Sequence, residues 1–192
     1  MTRVILRLVA IASLVLNSLP AMAGESSQRP NILIAISDDH SWKHTSAQGS
    51  PFVETPNFDN VANTGIRFDN AYAASPGCSP SRAALLTGRH HWMIGPAGTH
   101  GSSFPVYYQT FVDVLEDAGY KVGFTGKGWG RGDWHMGGRQ KNPAGVEYNE
   151  IQLRKRPPVG ISTTDYAANF KKFMDERKEG EPFYFWYGAH EP

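Results

Sequence analysis

Three stretches with the character of buried strands constrain the fold of this chain more than any other feature of its sequence. They are PNILIAISDD (residues 30–39), YKVGFTGKGWG (residues 120–130) and PFYFWYGAHEP (residues 182–192). Each begins with apolar or aromatic residues, and continuous apolar runs of this kind are typical of strands that are covered on both faces of a sheet. Each also ends in polar or glycine-rich sequence. We therefore expect three buried strands whose ends reach a functional site.

Four helical segments lie between these strands, at residues 55–65, 79–88, 108–119 and 163–180. In the first two, Thr55 and Ser79 are the expected caps, a proline follows at the first helical position, and a glycine ends the segment. Alternating strands and helices predict an α/β domain with a largely parallel central sheet flanked by helices. Functional groups in such sheets collect beyond the carboxyl ends of the strands. The side chains expected there are Asp38, Asp39, Lys127 and His190.

Residues 1–23 have the pattern of a secretory signal peptide. Arg3 and Arg7 precede an apolar run that is shorter than the roughly 20 residues of a membrane span, and Ala21-Met22-Ala23 forms a small-x-small cleavage site. We expect a mature chain of residues 24–192 that is exported, periplasmic or secreted, with no membrane span. Its net charge of +1, without a basic run, gives no indication of a nucleic-acid partner.

The single cysteine, Cys78, is unusual in an exported protein because such proteins normally pair their cysteines. It lies at the start of a predicted helix, where free N–H groups favour an anion, and Arg82 follows one turn later on the same face. A buried, inert thiol is the alternative interpretation, since cysteine is among the most buried residue types. Position alone leaves both open.

The segment CSPSRAALLTG (residues 78–88) resembles the signature of the type I, formylglycine-dependent sulfatases. The resemblance implies that a formylglycine-generating enzyme oxidises Cys78 to an aldehyde during export. It further implies that one hydroxyl of the hydrated aldehyde attacks the substrate sulfur, and that loss of a proton from the other hydroxyl then expels sulfate. The fold implied is the alkaline-phosphatase-like fold, and Arg82 is implied as a catalytic, anion-stabilising residue. Gly77 departs from the aliphatic or hydroxyl residue that is usual before the cysteine.

Asp38 and Asp39 suggest a metal site, because adjacent carboxylates need a compensating cation or hydrogen bonds, and hard oxygen ligands suit Ca²⁺ or Mg²⁺. A turn or helix cap after the strand is the alternative for a bare Asp-Asp pair. In sulfatases a pair in this position binds the metal that also holds the formylglycine. The resemblance therefore implies Asp38, Asp39 and the modified Cys78 as metal ligands, with Ca²⁺ as cofactor and Mg²⁺ as an option.

The glycine-rich loop TGKGWGRGDWHMGG is not a phosphate-binding P-loop, since Lys121 occupies the position of its first glycine and Gly128 that of its Ser/Thr. Lys127 resembles the sulfatase lysine that contacts the substrate sulfate. Two positions later the family often has histidine, where this chain has Trp129. The KGWG sequence looks like that of bacterial heparan N-sulfatase-like sulfatases. His135 could supply the missing contact, or could be a surface histidine in a loop.

The last strand resembles the sulfatase strand that leads into a His-x-Pro-His turn, of which His190 would be the first residue and either a substrate contact or a structural neighbour. The family's second pair of metal ligands and its later substrate cation have no counterpart here. The resemblance thus implies the N-terminal part of a sulfatase catalytic domain, inactive by itself and incomplete at its C-terminus.

The substrate implied by the resemblance is a sulfated carbohydrate, with N-sulfated glucosamine as one candidate. Four tryptophans lie in or beside polar loops, as sugar-stacking residues often do, or they serve packing: Trp42, Trp92, Trp129 and Trp134. Two other functions remain open. One is a phosphatase or phosphonate-ester hydrolase of the same superfamily, although these normally use Ser or Thr as nucleophile. The other is a truncated, non-catalytic remnant.

Overall fold

The computed structural model describes residues 29–192; the predicted signal peptide, residues 1–23, lies outside the described residues. Four strands form one parallel sheet: β1 (Ile32–Ile36), β2 (Lys121–Gly126), β3 (Val146–Glu147) and β4 (Phe183–Gly188). Their order is β1-β4-β2-β3, and every neighbouring pair is parallel. The expected α/β fold with a parallel sheet is confirmed. No helix within residues 29–192 is long and apolar enough to cross a bilayer.

The helices are α1 (Pro56–Thr64), α2 (Cys78–Thr87), α3 (Phe111–Asp117) and α4 (Tyr166–Asp175). Helix α2 begins at Cys78, with Gly77 as its cap, so the prediction that Ser79 caps this helix is wrong. Ser79 is fully buried, and its hydroxyl instead accepts a hydrogen bond from the Arg131 backbone N–H at 3.1 Å. Cys78 is therefore the first helical residue.

Helix α3 is shorter than the predicted segment of residues 108–119 because Thr110 starts it with a capping box. The Thr110 hydroxyl accepts from the backbone N–H of Asp113, and the Asp113 carboxylate accepts from that of Thr110. The buried Arg139 also donates to both Asp113 oxygens, at 3.0 and 2.9 Å. Burial alone would raise the pKa of Asp113, but the hydrogen bonds from Arg139 and Thr110 outweigh it and lower that pKa.

The core has two layers because side chains of β4 alternate between the faces of the sheet. Tyr184 and Trp186 face one layer with α2, α3 and the segment that joins them. Phe183 and Phe185 face the other layer, where they pack against Phe173 of α4.

Strand β1 is not buried on both faces, so that part of the prediction is wrong. Its burial alternates, and Leu33 is 57% exposed, because β1 forms an edge of the described sheet and no described helix covers its second face. Strands β2 and β4, which are internal, are almost entirely buried.

Paired glycines end the two internal strands, with Gly126 opposite Gly188 in the register. A side chain at Gly126 would place its Cβ 2.0 Å from the Gly188 carbonyl oxygen, and Gly126 has a φ of 74°. Only glycine combines that backbone conformation with so close an approach. The backbone N–H of Lys127 consequently reaches the Gly188 carbonyl, at 2.7 Å, and the loop after β2 begins at a fixed point.

Candidate active site

The end of β1 is held in place by the end of β4. The Ala189 backbone N–H donates to the Ile36 carbonyl, and the Asp38 backbone N–H donates to the Glu191 carbonyl, both at 3.0 Å. Asp38 is thereby fixed two residues beyond the strand, with 9% of its surface exposed. Asp39 is exposed and has a φ of 51°, a left-handed conformation that Asp tolerates better than most residues. The chain turns at this point and carries both carboxylates to one cavity.

Arg82 lies one helical turn after Cys78 and is 4% exposed. Its Nη1 donates to the backbone carbonyls of Lys127 and Gly128, the latter at 3.1 Å. Its Nη2 lies 3.7 Å from Asp38 Oδ1, close enough for ionic attraction. That distance is too long for a hydrogen bond, and Nη2 has no hydrogen-bond partner among the described residues. Burial lowers the pKa of the Arg82 guanidinium, while the charge of Asp38 acts in the opposite direction.

Lys127 contacts the same carboxylate from the other side, since its Nζ donates to Asp38 Oδ2. Asp38 therefore lies between two cations and offsets part of their mutual repulsion in a partly buried site, where one positive charge remains uncompensated by this carboxylate. The loop after Lys127 is also tied to helix α2, because Arg82 binds its carbonyls and Ser79 accepts from Arg131. The helix that carries Cys78 and the loop that carries Lys127 thus form one braced unit.

Cys78 is half-buried and forms no disulfide. As the first residue of α2 it lies where the helix has unpaired N–H groups and the positive end of its dipole. Its Sγ lies 3.3 Å from Nε2 of His100, on the loop that follows a short 3-10 turn at Gly95–Gly98. This contact brings a fourth segment of the chain to the site.

A cavity of about 300 Å³ lies between the end of β1 and the start of α2. Its polar lining comes from the β1 end, from the segment before α2 and from α2 itself: Ser37, Asp38, Asp39, His40, Ser75, Cys78, Ser81 and Arg82. A cavity of this size accommodates a small ligand group such as a sulfate with its attached carbon. A larger, mostly apolar cavity of about 620 Å³ lies on the α4 side of the sheet and contains none of these groups.

Most of the residues that the sequence singled out lie together. Asp38, Asp39, Cys78 and Arg82 line the cavity, and Lys127 contacts Asp38; their chemical roles stay predictions. The two histidines considered as substrate contacts are absent from the cavity lining. His135 is exposed, stacks on Trp134 and lies beside Asp133. His190 is exposed, and its backbone N–H donates to the Tyr166 hydroxyl at 3.2 Å.

Two further histidines reach the site without having been predicted, His40 and His100. His40 lines the cavity directly after the two carboxylates, and an Asp-Asp-His sequence could have drawn attention to it. No sequence motif or spacing indicates that His100 lies near Cys78, because the loop between α2 and α3 brings it there.

None of the four tryptophans lines this cavity. Trp42 and Trp92 are 66% and 67% exposed, whereas Trp129 is 2% exposed and belongs to the core.

The donor set at the cavity fits a hard cation in kind. Carboxylate oxygens are the ligands that Ca²⁺ and Mg²⁺ prefer, but Ca²⁺ takes about six to eight oxygens, more than Asp38 and Asp39 can provide. Within residues 29–192, no group of three or more His, Cys, Asp or Glu side chains is close enough to hold a metal ion. The two carboxylates therefore match such a cation in kind but not in number.

Comparison with known proteins identifies related sequences. The sequence model of the Sulfatase family matches residues 30–192. An N-acetylglucosamine-6-O-sulfatase of Bacteroides thetaiotaomicron is 34% identical over 96% of this chain and 34% of its own length. The N-acetylgalactosamine-6-sulfatase of Mus musculus is 37% identical over 66% of this chain and 25% of its own length. The chain thus spans a third or less of the length of these relatives.

Solved structures of related proteins also resemble this chain. One solved structure holds a protein in complex with its substrate D-glucosamine-2-N,6-O-disulfate. That protein is 31% identical in sequence to this chain, and the match, with a TM-score of 0.61, covers 83% of this chain and 34% of that protein. The phosphonate monoester hydrolase of Agrobacterium radiobacter, at 19% identity and a TM-score of 0.59, covers 84% of this chain and 41% of its own. At that identity the likeness shows the shared fold alone.

Proposed function

Because the chain belongs to the sulfatase family and has its alkaline-phosphatase-like fold, we propose that the protein hydrolyses sulfate esters of a glycan at the cavity around Cys78 and Arg82. The observation that carries the proposal is the free Nη2 of Arg82. This buried, charged donor makes no hydrogen bond to the described residues and lies in a site whose geometry is otherwise braced. A buried charged donor without a partner is costly, and an anionic oxygen in the cavity would satisfy it.

The positive groups form an anion site on one side of the cavity. Arg82 supplies its free Nη2 donor, and the first turn of α2 adds backbone N–H groups and the positive end of its dipole. Lys127 adds a second cation, held beside the cavity by Asp38. Charge that develops on sulfate oxygens during hydrolysis would meet donors that are already oriented, which is the most effective form of electrostatic catalysis.

Cys78 is the source of the nucleophile in this proposal. Formylglycine at residue 78 would supply, as its hydrate, an oxygen nucleophile that cysteine lacks. Its place as the first residue of α2 keeps the reacting atom within one helical turn of Arg82. A formylglycine-generating enzyme is accordingly a proposed partner during maturation, and the signal-peptide pattern of residues 1–23 supports export to the periplasm or medium.

Asp38 and Asp39, together with the modified residue 78, are the residues that would hold a divalent cation, Ca²⁺ or Mg²⁺. Such a cation would supply positive charge that polarises a substrate oxygen. The remaining ligands would come from residues outside those described, which agrees with the coverage of a third or less of the relatives' lengths. We therefore propose that the 192-residue chain is the N-terminal part of the catalytic unit and is inactive alone.

The proposed substrate is a 6-O-sulfated N-acetylhexosamine within a glycan. Its support is the recurrence of 6-O- or 6-sulfatases of N-acetylglucosamine and N-acetylgalactosamine among the relatives. N-sulfated glucosamine, the candidate raised by the KGWG loop, is the second substrate to test, because a related structure holds a glucosamine that is both N- and O-sulfated.

The test requires the full-length protein containing this sequence, co-expressed with a formylglycine-generating enzyme, beside the same protein with Cys78→Ala. In the wild type we expect the peptide containing residue 78 to react with a hydrazide probe. We also expect the wild type to release sulfate from N-acetylglucosamine-6-sulfate, and the Cys78→Ala variant to release none. Release from glucosamine-2-N-sulfate alone would change the proposed substrate.

Two controls test the reaction type and the completeness of the chain. Phosphate or phosphonate esters should be poor substrates; if they are hydrolysed faster than sulfate esters, the protein is a different hydrolase with this fold. Residues 24–192 alone should give no turnover. Turnover by this short form would show that the ligand set needs nothing outside these residues.

A further inference from the structure

The contact between His100 and Cys78 is not a chance approach of a loose loop. The preceding turn is packed so closely that a Cβ on Gly98 would lie 1.7 Å from the His91 carbonyl oxygen. The residues that follow His100 bind the loop after β2. Ser103 forms a β-bridge with Asp133, and the Asp133 backbone N–H donates to the Ser102 carbonyl at 2.8 Å. The segment is therefore anchored on both sides of His100.

The loop after β2 does not bring a histidine to Cys78. Its position two residues after Lys127 is Trp129, which is 2% exposed and packs edge-on against Phe104 with ring centroids 5.2 Å apart. Its backbone N–H donates to the Asn142 side chain at 3.0 Å. The next histidine of this loop, His135, contacts Asp133 and Trp134 instead.

Asp39 and His40 also line the cavity, but among the described residues neither makes a hydrogen bond to the Cys78 sulfur. The remaining charged groups near Cys78 are poorly suited to accept a hydrogen from it. Arg82 and Lys127 are donors only. The two Asp38 oxygens already face these two cations. An imidazole nitrogen can accept, and Nε2 of His100 lies at 3.3 Å from the sulfur, within hydrogen-bond range for sulfur.

We propose that His100 is the hydrogen-bond partner of the reactive group at position 78 and takes the place of the histidine that is missing after Lys127. The cysteine sulfur marks the position that a hydroxyl of the hydrated formylglycine would occupy. By accepting a hydrogen bond there, His100 orients the reacting oxygen towards the anion site of Arg82. The role of His100 in catalysis rests on the proposed function. The contact between His100 and Cys78 is observed in the structure and does not depend on that function.

The first experiment uses the unmodified thiol, so it is independent of any sulfatase activity. The chain is produced without a formylglycine-generating enzyme, and the rate of Cys78 alkylation by iodoacetamide is measured for wild type, His100→Ala and His44→Ala. His44 is exposed like His100 but makes no hydrogen bond to Cys78, which makes it the matched control. An acceptor at the sulfur activates a thiol, so His100→Ala should slow alkylation roughly threefold to tenfold.

The result that overturns the proposal is an alkylation rate for His100→Ala equal to that of wild type and His44→Ala. His100 is exposed, so the substitution should leave the fold intact; circular dichroism verifies this. If His100→Ala were misfolded, His100→Gln, which is also a hydrogen-bonding side chain, would be used, and it should retain more of the wild-type rate than His100→Phe.

The second experiment uses the full-length mature protein and separates kcat from KM. Loss of His100 should lower kcat roughly 100-fold with little change in KM, because the substrate's anion contacts remain. A wild type without sulfatase activity would contradict the proposed function and leave the alkylation result standing. An active wild type with a fully active His100→Ala variant would contradict the role of His100 alone.

Discussion

Replacing Arg82 with methionine should lower the free energy of unfolding by about 2 to 3 kcal/mol. Hydrogen bonds to a charged group contribute about 1.5 to 3 kcal/mol each, and Arg82 makes two, to the carbonyls of Lys127 and Gly128. The Lys127 carbonyl keeps a second donor, Nε1 of Trp186 at 3.2 Å, so only the Gly128 carbonyl loses its partner. The methionine stem also recovers part of the apolar packing, which keeps the cost well below the sum of two bonds.

The assay is thermal unfolding, with and without sodium sulfate. For a domain of this size 2 to 3 kcal/mol corresponds to roughly 5 to 10 °C in Tm. Sulfate should raise the Tm of the wild type by binding the folded state, and should have no effect on Arg82→Met beyond its general salt effect. Arg89→Met, an exposed arginine just after the same helix, is the control and should change stability by less than about 0.5 kcal/mol.

A Tm for Arg82→Met equal to that of Arg89→Met would show that the two carbonyl bonds contribute nothing to stability. An equal response of both variants to sulfate would show that the free Nη2 is not an anion donor. The second result would remove the main support for the proposed function, which rests on the free Nη2.

Three further outcomes follow from contacts described above. Arg139→Met should lower the free energy of unfolding by about 2 kcal/mol at pH 7, measured by urea unfolding. The lowered pKa of Asp113 stabilises the fold above about pH 4, and this stabilisation is lost as the pH falls through the lowered value. The difference in unfolding free energy between wild type and variant should therefore shrink in acid. Gly130→Ala should destabilise by about 1 to 3 kcal/mol, since its Cβ would lie 1.8 Å from the Ser79 hydroxyl, and a Tm unchanged within error would refute the close approach. Ca²⁺ should raise the Tm of residues 24–192 only slightly, and Asp38→Asn should abolish even that rise; tight binding in calorimetry would show that the ligand set is complete within this chain.

The sequence predicts best those parts of the fold that depend on local patterns. Strands β2 and β4 stand out because internal parallel strands need apolar residues on both faces. The two-residue strand β3 has no such pattern, since Val146 and Glu147 are both exposed, and it was not predicted. The start of α2 was placed two residues late, because a Ser-Pro pair is a strong cap signal and tertiary contact with Arg131 uses the serine hydroxyl instead.

The candidate site divides in the same way. Asp38 and Lys127 were singled out because each follows a strand, where position along the chain fixes position in the sheet. Cys78 and Arg82 were singled out because their segment resembles the sulfatase signature. His100 was missed because a loop carries it to Cys78, and loop paths depend on packing that no local pattern records. Of the two roles left open for Trp129, the structure shows packing, since a glycine-rich loop does not by itself indicate exposure.

The pairing of β1 with β4 also sets the order of events during synthesis. Ile32 lies beside Tyr184, so the first described strand has no partner until almost all described residues have left the ribosome. At about 5 to 20 residues per second this delay is roughly 8 to 30 s. Throughout that interval the segment around Cys78 cannot be enclosed by the finished sheet, and an enzyme acting on an extended peptide would have access to it. The strand order thus gives the nascent chain a period in which its cysteine is open to chemistry that the folded protein would hinder.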